Sequence, residues 1–190
     1  PTNTSHTATY LVTPRANACD GTPFTVIVTV NPKPVIANKS LTVCSGTNFT
    51  VELTDPTDII LANTSYTWGI PTVTGSLTGG VSGTNQASFS GNLTNTTNSN
   101  QTATYSVTPT SGSTGNCPGN PFTITITVKP ALKATISTSS TDACLNSISP
   151  TVTLTGMNGT PPYTFTYKLN GGADINLQTS GVANTPTINV

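Results

Sequence analysis

One phrase occurs twice in this chain of 190 residues, and it restricts the fold more than any other feature of the sequence. Residues 102–130 read TATYSVTPTSGSTGNCPGNPFTITITVKP, and residues 7–34 read TATYLVTPRANACDGTPFTVIVTVNPKP, the same words around a shorter middle. The offset drifts from 95 (7 to 102) through 98 (19 to 117) to 100 (44 to 144), as loops of different length accumulate. Self-similarity at a fixed period has to be settled before any single residue is interpreted. A period of about a hundred residues is too long for one solenoid turn and matches one β-sandwich domain.

Within the phrase, Phe122, Ile124, Ile126 and Val128 alternate with Thr123, Thr125 and Thr127. That is the period-two pattern of a strand with one apolar and one wet face. Ala103, Tyr105 and Val107 do the same one strand earlier, and the Gly/Ser/Asn/Pro tract at 109–121 reads as the loop between them. Two strands joined in this way, followed by a proline-containing exit at 129–130 and again at 31–34, form the last hairpin of a sandwich and its linker. The expected fold is all-β, a tandem of immunoglobulin-like antiparallel β-sandwiches. Residues 1–31 supply the C-terminal strands of a preceding repeat, 32–130 one complete repeat, and 131–190 the N-terminal part of the following one.

The complete repeat is expected to open with strands at 35–37 and 41–43, turn at Cys44, Ser45 and Gly46, and continue through Phe49, Val51 and Leu53. A loop at 55–63 leads to 65–69, where Tyr66 and Trp68 share a face as core anchors rather than a ligand platform. Residues 71–100 are dominated by turn formers, with short strands expected near 72–74 and 87–90. The expected core is Phe49, Val51, Leu53, Tyr66, Trp68, Tyr105, Val107, Phe122, Ile124 and Ile126. In the last segment, 134–137 forms a strand, Val152 and Leu154 answer Val51 and Leu53, and Tyr163, Phe165 and Tyr167 line one face.

Charged residues are 6% of the chain and the formal net charge is zero, against about 25% charged in ordinary soluble domains. Nucleic-acid binding needs clustered cations, whereas Arg15, Lys33, Lys39, Lys129, Lys133 and Lys168 are scattered. No run of 18 apolar residues provides a membrane span. Pro1 opens in mid-pattern with no signal peptide, which reads as a fragment of something larger.

Cys19, Cys44, Cys117 and Cys144 recur in register with the repeat, Cys19 and Cys117 after loops, Cys44 and Cys144 before strand-like runs. With no CxxC and one histidine, His6, a zinc site lacks ligands, so disulfides in an oxidising compartment are the better reading. Tandem copying favours a pairing that can repeat: Cys44 with Cys117 in one copy, Cys19 with Cys44 and Cys117 with Cys144 across linkers, or each cysteine with a repeat outside this chain. The first two meet a geometric objection, because an eight-residue strand is already about 26 Å long and a disulfide tolerates a far shorter Cα separation. Asp55 and Asp58 are the only carboxylates close in sequence, and a turn before Pro56 explains them better than calcium. His6 has no nucleophile partner, and the Asn-x-Ser/Thr triplets at Asn38, Asn48, Asn63, Asn92, Asn95 and Asn158 follow from composition. No catalytic, cofactor-binding or metal-binding residue is expected.

The phrases LTNTTNSNQTATYSVTPTSG, NPFTITITVKP and VCSGTNFTV resemble the PKD-like tandem repeats of very large Bacteroidota surface proteins, over most of residues 1–130. TVTLTGMNGTPPYTFTYKLNGG resembles the repeat named after SprB, the gliding-motility adhesin, over roughly 131–190. The resemblance implies a non-enzymatic extracellular protein, associated with the outer membrane and exported by the type IX secretion system. Its repeats would build an adhesive filament supporting surface attachment and gliding. Its partners would be neighbouring repeats of the same chain and, beyond them, motility-machinery or other cell-surface proteins or surface polysaccharide. The alternative is a carbohydrate-binding accessory module of a secreted enzyme, which requires solvent-exposed aromatics at Tyr66, Trp68, Tyr163 and Tyr167.

Overall fold

The computed structural model describes residues 3–54, 56–112, 115–181 and 183–189, and the regular structure among them is entirely strand and turn, with no helix. The first four strands are β1 (His6–Val12), β2 (Arg15–Ala16), β3 (Cys19–Asp20) and β4 (Phe24–Val30). β1 and β4 form an antiparallel hairpin, and β2 and β3 make a two-residue ladder within its loop. Threonine at alternate positions suits such strands, because its branched Cβ packs well on a pleated surface.

Ten strands follow: β5 (Lys39–Cys44), β6 (Asn48–Val51), β7 (Ser65–Trp68), β8 (Thr72–Val73), β9 (Leu77–Thr78), β10 (Gly83–Gln86), β11 (Phe89–Asn92), β12 (Thr94–Asn95), β13 (Gln101–Thr110) and β14 (Phe122–Lys129). One sheet has the order β10-β7-β13-β14-β5, with β8 also paired to β13. Two short antiparallel pairs, β6 with β11 and β9 with β12, provide the remaining strands. Phe89 on β11 lies with its ring centroid 4.7 Å from Trp68 and 4.8 Å from Tyr105, so the rings of one layer meet those of the other. All ten residues expected in the core are buried, and Ile36, Leu77, Phe89, Leu93, Ala103 and Val128 join them. Burying one Phe or Ile side chain contributes about 1.5–3 kcal/mol, so this cluster dominates the stability of the unit.

Two local expectations change. Residues 35–37 make no strand, since Val35 forms only an isolated bridge with Ile59. One pair in an otherwise antiparallel sandwich is parallel: β5 runs alongside β14 from Lys39↔Ile124 to Cys44↔Lys129. The cause is where the chain enters. A Cβ on Gly119, just before β14, would lie 2.3 Å from the carbonyl oxygen of Pro34, so the linker arrives beside the start of β14. A strand that begins there and hugs β14 must run in the same direction.

The last five strands are β15 (Lys133–Thr138), β16 (Thr151–Met157), β17 (Thr164–Lys168), β18 (Asp174–Gln178) and β19 (Thr187–Asn189). They make a three-stranded sheet, β15-β16-β19, and a separate β17-β18 hairpin. Among the described residues of this segment Leu154 is buried, whereas Ile136, Leu145 and Ile148 stay exposed.

Candidate functional site

The residues with reactive chemistry are the four cysteines: the fold places Cys117 and Cys44 at the two ends of the sandwich, Cys19 in the first hairpin and Cys144 in the last segment. Cys117 lies in the loop that feeds β14, where its N–H donates to Ser111 Oγ (3.0 Å) and its carbonyl accepts from the Ser111 N–H (3.0 Å). Ser111 is buried, so this clamp is shielded from water. Nearby, the Gly119 N–H donates to Pro109 O at 2.8 Å. The first hairpin repeats the device: Ala16 pairs with Cys19, and the Gly21 N–H donates to Pro14 O at 2.8 Å. In both copies a Cβ on that glycine would come within 2.9 Å of the proline ring, so only glycine closes the loop without a shift. Half-buried Cys117 and exposed Cys19 are thus held in equivalent turns.

Cys44 sits at the opposite end, paired in register with Lys129, the last residue of β14. The next residue fastens it: the Ser45 N–H donates to Lys129 O at 3.0 Å, and Ser45 Oγ accepts from the Asn95 N–H at 2.9 Å. Asn95 is buried, and its Nδ2 donates to Val128 O (2.9 Å) and Ser99 O (2.8 Å) while its Oδ1 accepts from the Thr97 N–H (2.9 Å) and hydroxyl (2.7 Å). Every polar atom of that amide therefore has a partner, which makes its burial tolerable. Cys44, Asn98, Lys129, Pro130, Leu132 and Asn158 line a cleft where the sandwich meets the following segment. Cys144 is exposed in the turn-rich stretch before β16. All four are free in this structure, which joins no two of them.

Of the two neighbouring carboxylates, Asp58 resolves differently from expectation. Asp55 lies outside the described residues. Asp58, whose side chain is 1% exposed, accepts from Lys39 Nζ at 2.7 Å and from the Ala37 N–H at 2.8 Å, so it serves an internal ion pair instead of a turn. Burial, reinforced by the Asp58 charge, raises the pKa of Tyr66, and burial alone raises that of Tyr105. Lysine at position 39 could not be matched to Asp58 from sequence, since 19 residues separate them.

Tyr66 and Trp68 are core side chains, with the Trp68 indole N–H donating to Val81 O at 3.1 Å. Tyr163 and Tyr167 are half-buried, and Tyr163 Oη accepts from the Gly159 N–H at 2.9 Å. The open aromatic platform that sugar stacking requires is thus not found at Tyr66 and Trp68. His6 begins β1 opposite Val30. Among the described residues no group of three His, Cys, Asp or Glu side chains is arranged to hold a metal, and no helix is long and apolar enough to cross a membrane.

The family described as PKD-like domain matches residues 2–34 and 41–132. No curated protein and no solved structure matches the chain.

Proposed function

We propose, from the premise that the chain belongs to the PKD-like domain family, that it is a stretch of a tandem-repeat rod on a cell surface. PKD-like domains are generally non-catalytic extracellular modules with structural or adhesive roles. In the proposed organisation, 1–31 closes a preceding repeat, 32–130 is a complete repeat, and 131–190 begins a following repeat of the SprB-like kind. Successive repeats run head to tail in an adhesin filament exported by the type IX system of a Bacteroidota cell, and they serve attachment and gliding. Its contacts are with neighbouring repeats, and at the surface with motility-machinery proteins or polysaccharide.

The observation that carries this reading is the repeated hairpin. Thr7 faces Thr29 as Thr102 faces Thr127, Tyr10 faces Val26 as Tyr105 faces Ile124, and Val12 faces Phe24 as Val107 faces Phe122. A unit copied to that register is a building block used in series. The linkers support a load-bearing role. Pro34 is fully buried, Lys33 Nζ donates to Asn120 Oδ1 at 3.0 Å, and beyond β14 the Asn158 Nδ2 donates to Ala131 O at 3.1 Å. Linkers pinned in this way limit bending and pass tension into the β13–β14 ladder.

Antibodies raised against the chain should label intact cells and reduce their attachment and gliding. Absence of label on intact cells, with label after lysis, would refute the surface assignment. Small-angle scattering of the chain should give a particle several times longer than wide, and a compact profile would refute the rod.

A further inference from the structure

We infer that Cys117 forms a disulfide with the Cys44 counterpart of the preceding repeat, and Cys44 with the Cys117 counterpart of the following repeat, so that each junction is stapled. The inference rests on the tandem reading above and assigns the pairing that sequence left open.

The geometry comes from two places in the chain. In the complete sandwich, β5 lies on the outer edge of β14, and its last residue, Cys44, is the ladder partner of Lys129. The first hairpin presents the same edge: β4 pairs only with β1 among the described residues, which leaves its other side open. The residue of β4's exit that matches Lys129 is Asn31, because Val30 matches Val128 in the repeated phrase. A preceding repeat built like this one would therefore place its own Cys44 counterpart opposite Asn31. Residues paired across a ladder point to the same face of the sheet.

Asn31 is where Cys117 lies. A Cβ on Gly115 would sit 2.7 Å from Asn31 Nδ2 and 3.6 Å from Cys117 Sγ, so the amide and the thiol flank the same point. Cys117 is fixed there by its two bonds to Ser111, and Asn31 by the bond from Ser5 Oγ to its Oδ1 (3.0 Å). The two thiols thus arrive at one junction from opposite sides: one from the outgoing end of a repeat, the other from the loop at the incoming end of the next. The same arrangement explains why Cys44 and Cys117 of one repeat do not meet. They occupy the two ends of β14, Cys44 beside Lys129 and Cys117 before Phe122.

The chemistry is thiol–disulfide exchange. The two thiols give up two protons and two electrons as the S–S bond forms, and the disulfide of a thiol oxidoreductase accepts them to become a dithiol. Such bonds persist outside the cell, where the reductants of the cytosol are absent.

The decisive experiment maps disulfides in the protein isolated from its own source with free thiols alkylated at lysis. The expected result is a linked peptide pair joining the Cys117 peptide to a cysteine peptide of an earlier repeat, with no Cys44–Cys117 pair. Alkylated Cys117, or Cys117 joined to Cys44, would overturn the inference. Asn31→Cys in the 190-residue chain tests the geometry directly: mild oxidation should join positions 31 and 117 and remove both from thiol labelling. Continued labelling of both in a chain whose Trp68 fluorescence remains native would overturn the proposed meeting point. Scattering from the alkylated chain separates this from the tandem reading, since an elongated particle without the cross-link sinks only the pairing.

Discussion

The β1–β4 and β13–β14 hairpins are nearly the same peptide in two settings. They share sequence, register, a cysteine turn and a glycine–proline closure. Yet Tyr10 is 56% exposed where Tyr105 is 4%, and Phe24 is 52% exposed where Phe122 is 4%. The difference is what lies across from them: β13 and β14 are covered by Phe49, Phe89 and Leu93 and flanked by β5 and β7, whereas β1 and β4 have each other. Pairing and pleat are thus local properties of the phrase, and burial is supplied from elsewhere in the fold. A two-stranded hairpin with a bare apolar face is marginal in water, so the first copy depends on a cover that the second already has.

The largest test of this contrast is hydrogen exchange. Amides in the middle of β13 and β14 should open only with global unfolding, which for a domain costs about 5–15 kcal/mol, whereas those of β1 and β4 should exchange by local fraying. Protection factors should then differ by at least about a thousandfold, and equal protection would break the comparison. Next in size is Phe122→Ala, expected to destabilise by about 3–5 kcal/mol in urea unfolding followed by Trp68 fluorescence. Phe24→Ala, its counterpart on the bare face, should leave that transition unmoved within about 0.5 kcal/mol.

Ion pairs sharpen the same contrast at smaller scale. Lys39→Met leaves the Asp58 carboxylate buried without its cation and should destabilise by about 3 kcal/mol by the same measurement. High pH acts in one direction only. Tyr66 and Tyr105 lose their protons less readily in the folded chain than in the unfolded one. The stability they contribute is therefore complete below the unfolded tyrosine pKa of about 10 and declines as pH rises beyond it. Tyr105→Phe should flatten that decline in an alkaline titration of the urea midpoint, and an unchanged slope would refute the assignment. The smallest effect belongs to the first hairpin: Asp20→Asn removes an ion pair with Arg15 whose side chains are 62% and 65% exposed. It should change hairpin exchange by the equivalent of less than about 0.5 kcal/mol.

Much of this is legible in the sequence. Period-two alternation through Phe122, Ile124 and Ile126, and through Tyr105 and Val107, marked a hairpin and its buried face, because a strand's side chains alternate whatever it packs against. The repeat itself gave the period and the equivalence of the cysteine turns. The tract at 71–100 was less readable. Strands of two residues, such as Leu77–Thr78 and Thr94–Asn95, are too short for alternation to stand out from the surrounding Gly, Ser and Asn. Phe89, the ring at the centre of the aromatic cluster, stands in that tract, and nothing adjacent to it announces its role.

What the amino-acid order decides by itself is therefore local: where strands fold back and which side chains share a face. Only the tertiary structure decides that β5 lies parallel to β14, that Asp58 answers Lys39, and that Asn95 ties Ser45 to Val128. It also decides which of two matching hairpins is buried. These contacts join residues 19 to 85 positions apart, and their partners are selected by the packing of whole layers, a choice that no window of neighbouring residues records.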